Sequence, residues 1–316
     1  MVVRLTDPGQ KKQVTKMHKQ TKPGLMLFLA LLMSTAAGLP VYAEQDDMWF
    51  FVLVKSNNHS QDQTGKLKLL NYHFFSELFP KMPGRIKSAK LTRLGKTDKH
   101  FEFVDRGDSF YFEGGHFNTL EAVDAEHPNG EYQFEMEFAS GKKVESVMSL
   151  AGPAGNTDIP APIQIYFSQN GQRVKQDSVD PALSLEVSWS PYSNGRADPR
   201  GIVDDMIFVV FQNCHGERIF HTGLPFKEED YTRYSVTSLT VPTGRFEEGQ
   251  KYSMFVEFPH VVDSTIVDGV PGFTSYATAT YTDINTTGET QAGSCPEKIP
   301  PLDTGQTDRM EVEINE

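Results

Sequence analysis

Two cysteines and two tryptophans are all that 316 residues hold of either type. Two thiols permit at most one intramolecular bridge, so a disulfide framework is excluded as the main source of stability. The short patterns that carry catalytic or cofactor chemistry are missing as well. There is no Gly-x-Ser-x-Gly, no His-Glu-x-x-His, no Gly-x-x-x-x-Gly-Lys-Ser/Thr and no EF-hand spacing. An enzyme of those classes is not expected, and no cofactor is implied. Basic charge is also scarce: 30 Lys and Arg stand against 42 Asp and Glu, a formal net charge of −12. Phosphate recognition needs clustered cations, whereas Lys87, Lys90, Arg93 and Lys96 are offset by carboxylates elsewhere. Nucleic acid is excluded as an expected partner.

Long apolar runs are nearly absent too, the exception being residues 25–39. Lys11, Lys12, Lys16, Lys19 and Lys22 precede this run and Val41-Tyr42-Ala43 follows it. A basic segment, an apolar segment and a small-residue cleavage site in that order read as a secretory signal peptide, cut between Ala43 and Glu44. A membrane anchor is the competing reading. About 15 residues at 1.5 Å each reach about 22 Å, short of a hydrocarbon core of about 30 Å. The expected location is therefore secreted or periplasmic, with no stable membrane insertion after cleavage. In such a compartment disulfides persist. Cys214 and Cys295 are then candidates for one bridge, with two unpaired thiols as the alternative because Cys295 sits in a loose tail.

What is present is enough to fold. Hydrophobic residues make up 38% and aromatic residues 11%, sufficient to close cores, and about 150 residues per domain suggests two of them. In the first half, residues 49–54 read as a buried strand ending in a polar loop at 56–60. Residues 72–79 read as a strand, and Phe101, Phe103, Phe110 and Phe112 flank a hairpin turn at Asp105-Arg106-Gly107-Asp108. Tyr132, Phe134, Met136 and Phe138 alternate with Gln133, Glu135 and Glu137, so one face is buried and one is wet. A Pro and Gly cluster at 152–162 marks a boundary. Seven further strands are expected at 163–167, 183–189, 206–211, 218–222, 234–241, 251–258 and 274–281. From Thr286 onward the apolar periodicity is lost.

Trp189 within Leu-Glu-Val-Ser-Trp, and the approach through Phe246 and Gly249 to Tyr252, resemble a fibronectin type III domain over about residues 160–283. The resemblance implies a seven-stranded immunoglobulin-like sandwich in which Tyr252 is the corner tyrosine, its hydroxyl bonded to an upstream backbone group. The sequence departs from the family where Glu247-Glu248 stands in place of Pro before Gly249, and where Phe246 replaces Leu. The first half carries an echo: Phe117, Leu120, then Pro128-Asn129-Gly130-Glu131-Tyr132 leading into an alternating strand. The fold class so implied is all-β, with two tandem immunoglobulin-like or fibronectin type III-like sandwiches. The expected divisions are a signal peptide at 1–43, an N-terminal sandwich at 44–152, a linker at 153–162, a fibronectin-like sandwich at 163–285 and a flexible tail at 286–316. Proteins of this kind are exported by bacteria without a defined activity, and the fold names no ligand.

Candidate chemistry is sparse. Gly114-Gly115-His116 and Asn213-Cys214-His215-Gly216 each offer a histidine in an expected turn. Neighbours in a strand or turn point apart, so Cys214 beside His215 reads as a turn thiol or half-cystine, not a nucleophile with its base. Two acidic connections of the second sandwich are expected to converge. Residues 190–205 carry Asp198, Asp204 and Asp205, and residues 259–273 carry Asp263 and Asp268. Calcium takes six to eight oxygens and is the candidate ion there; solvated loop carboxylates are the plain alternative. The functional expectation is an exported, non-enzymatic binding or surface-interaction module for a protein or glycan ligand, on loops held by a rigid scaffold. An accessory domain or subunit of a secreted hydrolase acting on polysaccharide is the alternative.

Overall fold

The computed structural model describes residues 47–95, 100–151, 159–227 and 231–289. The signal segment with Ala43 and Glu44, most of the Pro and Gly cluster, and the tail with Cys295 lie outside the described residues. The first half contains β1 (Met48–Gln61), β2 (Leu67–Pro80), β3 (Ile86–Arg93), β4 (His100–Glu102), β5 (Val104–Asp105), β6 (Phe110–Phe117), α1 (Leu120–Glu126), β7 (Glu131–Phe138) and β8 (Lys143–Ser149). The second contains β9 (Ile165–Gln169), β10 (Gln172–Val174), β11 (Leu185–Trp189), β12 (Phe208–Gln212), β13 (Arg218–His221), β14 (Ser238–Val241), β15 (Lys251–Val267) and β16 (Val270–Asn285).

Each half is an immunoglobulin-like sandwich. In the first, β1-β2-β6-β5 form one layer and β4-β3-β7-β8 the other, the strand arrangement A-B-E-D against C′-C-F-G. In the second, β10-β9-β11-β14 face β13-β12-β15-β16, which is A-B-E with an added edge strand against C′-C-F-G. Both halves carry the corner tyrosine at strand F of their own sandwich, β7 and β15. The backbone N–H of Glu247 donates to the Tyr252 hydroxyl at 2.7 Å, as the resemblance implied. The echo is also real: the Tyr132 hydroxyl donates to the Pro128 carbonyl at 2.8 Å. Trp189 is buried in the second core, and its indole N–H donates to the Val236 carbonyl at 3.2 Å.

The sandwiches are not strung as separate beads. β1 pairs in parallel with β16 from Phe51↔Gly272 to Ser60↔Tyr281. This ladder fuses one layer of each sandwich into an eight-stranded sheet, β13-β12-β15-β16-β1-β2-β6-β5. Because paired residues share a face, Phe51 and Leu53 of the first core lie on the same side as Met254, Val256 and Ile284 of the second. Both four-stranded sheets therefore pack on one face of the large sheet. The hairpin of β15 and β16 reaches across, and its Val262, Val270 and Tyr276 belong to the first core.

Two loop expectations are corrected here. Residues 56–60 are not a loop but the continuation of β1, with Ser56, Asn58, His59 and Gln61 buried. They form the seam between the sandwiches, where polar side chains find partners instead of water. The Asn58 amide donates to Asn71 at 2.8 Å, and Gln61 exchanges two hydrogen bonds with the Ile165 backbone, at 2.8 and 2.7 Å. The second correction concerns residues 259–273. They are strand almost throughout, with a register shift between Val261 and Asp263 and a tight turn at Asp268-Gly269, both at positive φ. Pro259 and the Asp-Ser pair at 263–264 resemble turn chemistry in sequence, yet the neighbouring ladders absorb them.

Candidate functional site

The second face of the eight-stranded sheet carries two carboxyl groups, Glu77 on β2 and Glu257 on β15. Burial pushes both carboxyls up from 4.5 to about 7, with the Glu77 charge adding to the effect at Glu257. Part of this face is closed by an apolar cluster in which Val203, Met206, Leu224, Phe226 and Tyr231 from long loops cover Phe50, Val52 and Phe273.

The acidic connections do converge. In residues 190–207, between β11 and β12, Asp198 accepts from the backbone N–H groups of Arg200, Ile202 and Val203 and from the Ser264 hydroxyl at 2.7 Å. Asp204 accepts from the Asp198 N–H at 3.0 Å. Asp205 is fully buried; it accepts from the N–H groups of Arg196 and Val261 and pairs with His260 Nδ1 at 2.8 Å. Asp263 accepts from the Ser149 N–H at 2.8 Å and meets the Arg200 guanidinium. Asp268 stands apart at the hairpin tip, where its carbonyl accepts from Lys142. The carboxylates of Asp198, Asp204, Asp205 and Asp263 thus spend oxygen lone pairs on fixing a loop. Hydrogen bonds to the charged form hold the Asp198 carboxyl below its ordinary range in spite of burial. Cys214 is buried in the turn between β12 and β13, where the N–H of Gly216 bonds the Asn213 carbonyl at 3.0 Å; its expected partner Cys295 lies outside the described residues.

A second constellation was not legible in the sequence. His73 on β2 sits opposite His116 on β6, and Phe75 sits opposite Glu113. Glu113 and His116 are three apart and would face opposite ways on a regular strand. A bulge lies between the pairs Phe74↔Gly115 and Phe75↔Glu113 and inserts Gly114 as an extra residue, which returns both side chains to the same face. Only glycine fits at 114, since a Cβ there would lie 2.5 Å from the Phe74 ring and 2.6 Å from its carbonyl. His127, the C-cap of α1, holds the bulge: its Nε2 lies 2.9 Å from the Gly114 carbonyl and its ring stacks on Phe74 at 4.1 Å. Buried Lys55 anchors that segment through Asp124, the His127 carbonyl and Asn129, all at 2.7–2.8 Å. The histidine was therefore placed by a bulged strand and not by the expected turn at 114–116. Gly-Gly within an otherwise aromatic strand was the available signal.

At the cluster, His73 Nε2 lies 3.0 Å from Glu113 Oε1 and the two imidazole rings stack at 3.9 Å. Gly115 N–H donates to Glu113 Oε1 at 2.7 Å, and the Tyr111 hydroxyl donates to Oε2 at 3.2 Å. Burial opposes ionisation of Glu113, but His73, the Gly115 N–H and His116 outweigh it and hold the carboxyl below its ordinary range. Donor atoms of His73, Glu113 and His116 all lie within 4.8 Å of one another. Among the described residues no helix is long and apolar enough to cross a membrane.

No family model matches the chain, and no curated protein matches it. Among solved structures, the FN1–FN3 domains of chicken CNTN1 align at 8% identity over 74% of this chain and 63% of that one, with a TM-score of 0.21. A tetra-tandem repeat from the extending region of a large adhesion protein aligns at 11% identity over 73% and 49%, with a TM-score of 0.17. Trypsin-activated alpha-2-macroglobulin from Escherichia coli aligns at 8% identity over 65% and 14%, also at 0.17. The chain spans less than two thirds of each of these structures. At TM-scores this low the likeness carries no argument; the strand order and the two corner tyrosines carry the fold.

Proposed function

We propose that this chain is an exported, non-enzymatic binding module that recognises a macromolecular ligand, protein or glycan, through the loop end of its second sandwich. The observation that supports this reading is the connection at 190–207. Structureless loops of this length in compact domains are usually functional, and this one is pinned by Asp198, Asp204, Asp205 and Asp263. A loop already fixed loses little conformational freedom on binding. Its crest, with Ser193, Asn194 and Arg196, stays exposed above the pinning carboxylates. The chain's acidity favours a neutral or basic partner surface. Export rests on the order of basic, apolar and small residues in 1–43.

Capture from cell-envelope extract and culture medium, together with a glycan array, tests the reading. The wild type is expected to retain a discrete ligand, and a variant with Ser193, Asn194 and Arg196 all changed to Ala is expected to lose it while melting like the wild type. Undiminished capture by that variant, or no capture by the wild type, refutes it. Cleavage of a captured polysaccharide replaces it with the hydrolase alternative.

A further inference from the structure

We propose that His73, Glu113 and His116 form a binding site for a borderline divalent transition metal of the zinc class, with three protein donors and an open fourth position. The argument begins with donor chemistry. Two imidazole nitrogens and one carboxylate oxygen suit zinc, cobalt or nickel, while calcium demands six to eight oxygens. Geometry agrees. With metal–ligand bonds of about 2.0–2.2 Å, tetrahedral donors sit about 3.3–3.6 Å apart. The distances from Glu113 Oε1 to His73 Nε2 and to His116 Nδ1, 3.0 and 3.7 Å, bracket that spacing. The two imidazoles stack at 3.9 Å, so metal binding requires the rings to turn out of that stack until both nitrogen lone pairs point at one ion beside the Glu113 carboxylate.

The supporting architecture is that of a held site. Metal affinity depends on partners that orient the ligands, and Glu113 is oriented at both oxygens, by Gly115 N–H and by the Tyr111 hydroxyl. The bulge that brings Glu113 and His116 to one face requires Gly114 and is clamped by His127. Bulges next to sites commonly serve to re-aim a side chain in this way. The cluster lies in the first sandwich and shares no residue with the loop at 190–207, so it stands or falls independently of the proposed binding function.

The test uses the whole chain, stripped with chelator and titrated with Zn2+ and Co2+. One equivalent of Co2+ is expected to bind with visible ligand-field absorption of a low-coordinate site, and Zn2+ is expected to displace it and raise the melting temperature. Glu113→Gln and His116→Ala should each weaken binding at least tenfold, and His100→Ala, at an exposed position on β4, should leave it unchanged. Glu113→Gln preserves side-chain shape, so it decides the matter even where the histidine variant folds poorly. Failure of the wild type to bind at one to one, or equal binding by Glu113→Gln, overturns the proposal.

Discussion

The two sandwiches share a strand order and a corner tyrosine but place their buried polar groups differently. In the first, polar residues sit inside the framework: Lys55 is wholly buried beneath α1, and His127 clamps the bulge that assembles the histidine cluster. In the second, the core around Trp189, Phe211 and Phe246 is apolar, and the polar investment lies in a carboxylate-pinned loop at one end. A common fold thus tolerates two solutions. A strand can be re-aimed from within by a bulge, or a loop can be fixed from without by its own acids.

The largest effect should come from Trp189, ahead of Lys55. Trp189→Ala removes a large buried side chain and is expected to cost about 3–5 kcal/mol. Lys55→Met leaves the buried His127 carbonyl without its donor, while the Asp124 carboxylate, 40% exposed, can turn to water; the expected cost is about 1–3 kcal/mol. Calorimetry of both variants sharpens the comparison: with the β1–β16 ladder intact, each should lower a single common transition. Two separated transitions would mean that the sandwiches unfold independently in spite of the shared sheet.

The seam comes next. Gln61→Ala deprives the Ile165 N–H and carbonyl of their partners and should cost about 1–3 kcal/mol in chemical denaturation. No loss would show that water replaces Gln61 and that the seam is loose. Smaller still is the pair Tyr132→Phe and Tyr252→Phe, each expected to lose about 1 kcal/mol with its corner hydrogen bond. Unequal losses measured under one condition would show which corner matters more to its sandwich. The last comparison is acid against neutral pH. Glu77 and Glu257 have folded values near 7, raised above the ordinary 4.5. Their contribution is fully present below 4.5 and is lost as pH rises through about 7. Denaturation midpoints should therefore fall less steeply with rising pH in a Glu77→Gln, Glu257→Gln double variant than in the wild type; identical slopes would exclude this origin.

Alternation alone disclosed Tyr132 to Phe138, Leu185 to Trp189 and Tyr252 to Phe258, because a half-buried strand exposes every second residue whatever lies around it. The tyrosine corners were equally legible, since each joins positions only four or five residues apart. The remainder depended on neighbours distant in the chain. Ser56 to Ser60 look like a loop until β16 and Asn71 supply hydrogen bonds that polar groups would otherwise seek from water. Likewise, nothing within residues 111–116 indicates that His73 will stand opposite His116. That pairing follows from the register of β2 against β6 and from one inserted glycine, whose tolerance is set by the Phe74 ring and carbonyl. Local periodicity fixed which residues could be strands; the sheet-wide register, settled by packing among strands far apart in sequence, decided which side chains meet.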